Sequence, residues 1–194
     1  MKLGKISKIN TGLVLNRKKA ESEKTAKRKY KLLTLKSIQN NGKIEKESLE
    51  EFYSNEVLAE NYITSKGDVV IRISEPNTAV FINEDLEGIL VPSQFCLIRV
   101  EEKKINPEFL VWYLNSEYIK KKIQKSLIGS AIGIIKTSFL NDLEIKIFSI
   151  EKQEKIIKIN DLKDKEEELL NKLLEEKQKM YSYLTKKIFE KREK

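Results

Sequence analysis

Apolar and polar positions alternate over short distances in the first two thirds of the chain. The runs "YKLLTLKSI", "VVIRIS", "NTAVFI", "GILVP" and "QFCLIRV" are short, rich in β-branched residues and bounded by polar segments. Such runs are typical of strands. The stretches "NNG" at 40–42 and "SKGD" at 65–68 predict turns. We also expect a loop or weak helix over 13–29 and a short helix over "NEVLAENYI".

The hydrophobic period changes at "INPEFLVWYLNSEYIKKKIQKS". Asn106 is a candidate N-cap, Pro107 occupies the first helical position, and lysines crowd the last turn, so this stretch predicts one helix. Phe109, Trp112 and Tyr113 fall at helical spacing, which predicts core packing. The later stretch "LEIKIF" alternates apolar with charged residues and predicts a half-buried strand.

The segment from Glu151 onward contains no glycine or proline and is rich in Glu, Lys, Leu and Gln. These residues favour a helix, and about 40 of them would span roughly 60 Å. Apolar positions approach a heptad spacing that Glu166 and Glu176 interrupt: Ile159, Leu162, Leu169, Leu173, Met180 and Tyr183. A single helix cannot bury such a stripe on itself, so we expect a coiled-coil partner. A lone helix, or one folded back on its own body, is the alternative.

The predicted fold class is therefore α+β, with a mixed-sheet globular domain at 1–149 and a long C-terminal coiled-coil helix at 150–194. Positive charge is concentrated at the start, where residues 1–36 hold twelve Lys or Arg and only two Asp or Glu. A concentrated basic patch is typical of proteins that bind a polyanion. A lysine-rich, solvated face explains the same charge without a partner.

Composition excludes several chemistries. The chain has no histidine and one cysteine, Cys96, which leaves no ligand set for zinc, no histidine acid/base catalyst and no intrachain disulfide. No Gly-rich phosphate loop or spaced set of metal-binding carboxylates occurs, and "INPEF" lacks the second proline of a methyltransferase motif. We expect no catalytic residue, metal or cofactor. Without an apolar run of about 18 residues or a signal peptide, we expect a cytoplasmic protein with no membrane segment.

Taken in order, six stretches resemble the specificity (S) subunit of type I restriction-modification systems. They are "LGKISKINTG", "YKLLTLKSIQNNGKI", "ITSKGDVVIRIS", "LVPSQFCLIRV", "INPEFLVWYLNS" and "GSAIGIIKTSFLNDLEIKIFSIEKQEKI", and together they cover about residues 1–160. The tail occupies the place of the family's spacer helix. The resemblance implies that a full S subunit contains two target-recognition domains and two spacer helices in one chain, whereas this sequence has one of each.

The resemblance implies a non-catalytic, sequence-specific DNA-binding subunit that docks DNA methyltransferase (M) subunits and, through them, the restriction (R) subunit. A half-length chain would rebuild the full arrangement as a homodimer through the C-terminal helix. Two identical domains related by a two-fold axis imply a bipartite, palindromic DNA site with an unread gap.

Within this hypothesis, a basic loop faces DNA, since arginine suits guanine edges and lysine suits phosphates. Its residues are Arg17, Lys18, Lys19, Lys27, Arg28 and Lys29. A second DNA-binding set is Arg72, Ser130, Lys136, Thr137 and Ser138. The alternative for the first set is a solvated basic loop. In the second set, the alternatives are that Arg72 faces solvent or pairs with a carboxylate and that the other four residues form a plain loop before a strand. For the whole chain, the alternatives are a silent or truncated specificity cassette and a coiled-coil adaptor that does not bind DNA.

Overall fold

The computed structural model describes residues 1–39, 41–127 and 133–190. The chain forms two compact units, residues 1–154 and 155–194, which we call the body and the arm. The strands are β1 (Ser7–Thr11), β2 (Arg28–Leu32), β3 (Glu50–Ser54), β4 (Val69–Arg72), β5 (Ala79–Phe81), β6 (Ile89–Leu90) and β7 (Phe95–Val100). The helices are α1 (Pro107–Asn115), α2 (Glu117–Leu127), α3 (Thr137–Asp142) and α4 (Ile150–Glu190).

The larger sheet has four antiparallel strands in the order β1-β7-β4-β5. Its central strands β4 and β7 are almost continuously apolar, and Val70 and Leu97 are fully buried. They pack with Val80, Phe95 and Ile82 in one hydrophobic cluster. Strands buried on both faces read as uninterrupted apolar runs, which is why "VVIRIS" and "QFCLIRV" were recognisable in the sequence.

The smaller sheet has the order β3-β2-β6, with β2 antiparallel to β3 and parallel to β6. Leu32, Phe52 and Leu90 from its three strands are buried with Leu13 and Leu58 in a second cluster. Only one face of β2 is buried, since Tyr30 and Leu32 pack on this cluster while Lys29 and Lys31 are exposed. This sheet therefore shows the usual alternation of a half-solvated strand.

The chain passes from the first sheet to the second at Gly12. The Gly12 amide donates to Phe95 O at 2.9 Å and the Leu13 amide to Val91 O at 2.8 Å. A Cβ atom built on Gly12 would lie 2.2 Å from Pro92 O and 2.5 Å from Val91 O, both of which are backbone atoms. No side chain fits this crossing without a shift of the backbone.

The predicted α+β class with a long C-terminal helix is confirmed, as are the strands predicted around β2, β4, β5, β6 and β7. The short helix predicted over "NEVLAENYI" is wrong. That stretch contains a single 3₁₀ turn, Glu60–Tyr62, because Leu58 turns inward and its amide donates to the Tyr30 hydroxyl at 3.0 Å.

The segment "LEIKIF" is not a regular strand, since it makes an isolated bridge between Glu144 and Lys2 with backbone hydrogen bonds to Met1 and Leu3. Its predicted alternation is nevertheless present, because Leu143 and Ile145 are buried while Glu144 and Lys146 are exposed.

The single helix predicted from Pro107 is two helices with a break at Ser116. The Ser116 hydroxyl donates to Tyr113 O, and the backbone there is extended. The N-cap role of Asn106 is confirmed, because its side chain accepts from the Glu108 amide at 2.8 Å. Phe109 is fully buried, which confirms core packing for this residue. Trp112 and Tyr113 are half-buried, and their ring centroids lie 5.5 and 6.0 Å from that of Phe109.

Residues 155–190 of the arm belong to α4, and none of their side chains is buried. Its surface carries ion pairs at helical spacing, such as Lys163–Glu167 and Lys172–Glu168. The six predicted stripe residues are 47% to 68% exposed, and Leu170, Leu174, Tyr181, Leu184, Ile188 and Phe189 widen the exposed apolar surface. In the part of the chain that the structure describes, no helix is long and apolar enough to cross a membrane.

Candidate nucleic-acid interface

The two basic tripeptides of the predicted loop, 17–19 and 27–29, lie together at the end of β3. Lys19 forms a bridge with Ser54, and the Lys27 amide donates to Ser54 O at 2.8 Å. The Asn55 amide donates to Lys18 O at 2.9 Å. One strand end thus holds two segments that are separated in sequence by a 3₁₀ turn at Glu23–Thr25.

Two of the six cations form ion pairs with carboxylates. Lys18 Nζ lies 2.6 Å from Glu56 Oε1, and Lys29 Nζ lies 2.8 Å from Glu51 Oε1. The Glu51 carboxylate raises the pKa of Lys29, and the hydrogen bonds from Lys29 and Tyr53 lower the pKa of Glu51. Both lysines are therefore neutralised locally, which weakens their attraction for an external anion.

The other four cations, Arg17, Lys19, Lys27 and Arg28, are exposed. Within the described residues, none of their side chains lies within ion-pair distance of a carboxylate. They are the members of the predicted set that remain available to phosphates or base edges.

Strand geometry also separates Arg28 from Lys29. Successive side chains of a strand point to opposite faces. Lys29 pairs across the sheet with Tyr53 on the solvent face, whereas Arg28 shares the side of Tyr30 and Leu32, which pack on the core. Arg28 is exposed because it is the first residue of β2. The predicted six therefore do not form one continuous surface.

The second predicted set also has members that lie close together. Ser74 forms a bridge with Ile134, and the Ile135 amide donates to Ile73 O at 2.9 Å, so the segment before α3 runs beside the end of β4. This places Arg72 near the segment that carries Lys136, Thr137 and Ser138. Ser130 lies outside the described residues.

The polar atoms of this second set are only partly available. Arg72 is half-buried and its Nε donates to Ser74 Oγ at 3.0 Å. The Thr137 and Thr11 hydroxyls are hydrogen-bonded at 2.9 Å, whereas Lys136 and Ser138 are exposed. Cys96 lies beside the two threonines, and burial raises the pKa of its thiol. A buried thiol of raised pKa is a poor nucleophile at neutral pH.

Sequence reasoning missed the carboxylates that shape the basic cluster. Glu51 and Glu56 lie more than twenty residues from the cations they pair with, and Tyr53 adds hydrogen bonds to Glu51 and Glu23 of 2.9 and 3.0 Å. Their positions depend on the pairing of β2 with β3, and β3 itself was not predicted. The alternation in "EEFYSNE" was the one available signal.

The described residues contain no group of three or more Cys, Asp or Glu side chains placed to hold a metal ion. What the arrangement offers is positive charge on short, well-anchored loops with hydroxyl donors nearby. Arginine, lysine and hydroxyl groups of this kind contact the DNA backbone and the guanine edge.

Residues 1–179 match the family described as "Type I restriction modification DNA specificity domain". The type I restriction enzyme MjaVIII specificity subunit of Methanocaldococcus jannaschii is 30% identical over 122 residues, which are 57% of this chain and 29% of that protein. The chain therefore spans less than a third of this curated relative.

Two solved structures share the fold. The HsdS subunit from Thermoanaerobacter tengcongensis superposes with a TM-score of 0.65 at 20% identity, over 87% of this chain and 43% of that one. A chain from a structure described as the basis of complex assembly and conformational transition of the type I R-M system gives a TM-score of 0.68 at 19% identity, with the same coverage of 87% and 43%.

Proposed function

The chain belongs to the family of type I restriction modification DNA specificity domains, and we propose that it reads DNA sequence for a restriction-modification complex. In this proposal residues 1–149 are the target-recognition domain and residues 150–194 are the spacer and dimerisation helix. The chain carries out no bond chemistry itself and needs no cofactor. Reading chromosomal DNA also implies a cytoplasmic location.

The observation that carries the proposal is the group of four exposed cations without a carboxylate partner in the described chain, Arg17, Lys19, Lys27 and Arg28. Arg17, Lys19 and Lys27 lie on segments that the backbone at the end of β3 holds in place, and Arg28 is the first residue of β2, paired with Ser54. Phosphate contacts would position the body, and the two arginines would supply contacts to base edges. Arg72, Lys136, Thr137, Ser138 and Ser130 form the proposed second contact segment.

The exposed apolar face of the arm supports homodimerisation. Leu169 and Leu173 are 57% and 52% exposed and follow each other at one helical turn. An isolated helix gains nothing from such a face, whereas an antiparallel copy would cover it. A two-fold dimer would present two copies of the body to two half-sites, and hence to a split palindrome. The assembly would then dock M subunits and, through them, the R subunit.

The cation group is tested by paired substitutions in a fluorescence-anisotropy titration with duplex selected by the wild-type chain. We expect Arg17→Ala with Arg28→Ala to weaken specific binding at least tenfold, since a base contact contributes about 1 to 3 kcal/mol. The matched control is Lys18→Ala with Lys29→Ala, which removes the same charge from residues already paired with Glu56 and Glu51. Equal losses in the two variants would contradict the assignment.

Dimerisation is tested by light scattering. We expect a mass near twice 22.7 kDa for the chain and a monomer for Leu169→Glu with Leu173→Glu. The control is Asn171→Glu with Ser182→Glu, which adds the same charge at positions about 200° to 220° around the helix from Leu169. A wild-type monomer would remove the dimer from the proposal.

The alternatives predict different results in the same assays. A silent specificity cassette would bind its duplex but fail to capture the methyltransferase encoded beside it. A coiled-coil adaptor would dimerise but show no preference for a DNA sequence, so that the selected duplex would bind no better than a scrambled one.

A further inference from the structure

Gln153 is an exception in α4. It is 0% exposed, and it is the one buried side chain in the described length of this helix. Long polar side chains are seldom fully buried unless their hydrogen bonds are satisfied. A buried glutamine in the first turn of a helix whose other described side chains are exposed or half-buried therefore calls for an explanation.

Both the oxygen and the nitrogen of the Gln153 side-chain amide are hydrogen-bonded to backbone atoms of the body. Its Oε1 accepts from the Asn106 amide at 2.8 Å, and its Nε2 donates to Phe148 O at 2.8 Å and to Lys104 O at 3.4 Å. Asn106 is also the N-cap of α1. One side chain thus joins the start of α4, the segment before it and the start of α1.

Only a carboxamide matches this set of partners. A glutamate would turn a carboxylate oxygen toward the Phe148 and Lys104 carbonyls and lose both donors, and a methionine of similar volume would leave the Asn106 amide without its acceptor. The Gln153 backbone amide donates to Ser149 O at 3.0 Å, so the first turn of α4 is closed independently of the side chain. The side chain therefore serves to anchor that turn to the body rather than to form it.

We propose that Gln153 is a positioning residue that anchors the first turn of α4 to the body and thereby limits which gap between half-sites the dimer accepts. This inference rests on the proposed function. Adding one base pair to a gap moves a half-site by roughly 3.4 Å and rotates it by roughly 35° about the DNA axis. A dimer that binds only one gap length requires the first turn of each α4 helix to be fixed on its body.

The test uses Gln153→Glu combined with Glu154→Gln. The double variant keeps the net charge, so the salt-dependent attraction for DNA is matched. Glu154→Gln alone is the control, since Glu154 is exposed in the same turn. Gln153→Met is a second variant that removes the hydrogen bonds without adding charge. Far-UV circular dichroism and urea unfolding establish which variants are folded before binding is measured.

Each chain is titrated with a series of duplexes that carry the selected half-sites separated by gaps of increasing length, and with a duplex carrying one half-site. We expect the wild type and Glu154→Gln to prefer one gap by at least about tenfold over its neighbours, which corresponds to about 1.4 kcal/mol. The two Gln153 variants should accept neighbouring gaps within about threefold, with unchanged affinity for the single half-site.

The possible outcomes test the positioning role of Gln153 and the proposed DNA-binding function separately. Gap preference that is as sharp in the Gln153 variants as in the wild type would overturn the positioning role and leave the function intact. An equal loss at every gap and at the single half-site would also overturn it, because it would show that Gln153 only stabilises the body. A wild-type chain that binds no split site would instead remove the proposed function.

Discussion

The body and the arm differ in how far their apolar side chains are buried. In the body, residues such as Val70, Val80 and Phe95 are 0% exposed and pack in one hydrophobic cluster. In the arm, Leu162 and Leu169 are 68% and 57% exposed. The body thus contains what it needs to stay folded, whereas the arm's helix depends on what covers it. Stability in the first region should be independent of concentration, and in the second it should not.

The largest effect should come from emptying the body's core. Phe109→Ala removes a ring that contacts Trp112, Tyr113 and Phe148. We expect the free energy of unfolding in urea to fall by about 3 to 5 kcal/mol. Tyr118→Ala is the control, since Tyr118 is 60% exposed and should change the midpoint little. A small effect at Phe109 would mean that the body is not the self-sufficient unit described above.

A somewhat smaller loss should follow from Arg99→Leu. Arg99 Nε lies 3.0 Å from Asp68 Oδ1, and the guanidinium also donates to Ile63 O at 2.7 Å. Asp68 is 3% exposed, so its charge would be left buried without a cationic partner, although the Ser65 amide would still donate to it at 2.7 Å, and we expect a cost of about 3 kcal/mol. The control is Lys103→Leu at an exposed position.

The effect of Arg99→Leu should depend on pH with a definite sign. Burial raises the pKa of Asp68 above its ordinary value of 3.8, and Arg99 opposes that rise. Without Arg99 the pKa rises further, so the folded variant binds a proton over a wider range than the unfolded chain and loses stability as pH rises through that range. The cost of the substitution should be larger at neutral pH than near pH 3.8. A cost that is constant with pH would contradict the role of the Asp68 charge.

Dilution should lower the melting temperature of the arm and leave that of the body unchanged. If a second copy covers the arm, each tenfold dilution weakens the dimer by about 1.4 kcal/mol, and the arm's helical signal should melt at lower temperature. The near-ultraviolet signal of Trp112 in the body should melt at an unchanged temperature. Leu169→Glu with Leu173→Glu should abolish the concentration dependence and leave the Trp112 transition in place.

The smallest effect should come from Glu51→Gln. The pair of Glu51 and Lys29 is exposed, and such pairs contribute little to stability, so the urea midpoint should not move measurably. The substitution releases Lys29 and also Lys31, whose Nζ lies 3.7 Å from Glu51 Oε1. The slope of log affinity against log salt should steepen by about 0.9 for each lysine that then contacts a phosphate. An unchanged slope would show that neither lysine faces DNA.

The sequence predicted the buried sheet well because β4 and β7 are apolar on both faces and leave no competing interpretation. It did not predict β1, whose "SKINT" has a single strong apolar residue, or β3, whose "EEFYS" reads as a charged loop until it pairs with β2. Edge and half-solvated strands derive their conformation from partners far along the chain. Local pattern carries little of that information.

The candidate site shows the same limit. The sequence predicted a basic loop from charge density alone, and the structure brings both tripeptides to Ser54. Which cations remain available depends on Glu51 and Glu56, which enter only through strand pairing. Alternation along β2 then separates Arg28 from Lys29, a distinction that a count of charges cannot make.

Position 12 should not tolerate substitution of its glycine. Any single-nucleotide change that replaces a glycine introduces a Cβ atom or ends translation, and here a Cβ would meet two backbone oxygens of the neighbouring segment. The exposed loops that carry Arg17 and Lys27 have no such restriction. Substitutions in these loops can therefore change the surface that we propose contacts DNA, while the crossing between the two sheets stays unchanged.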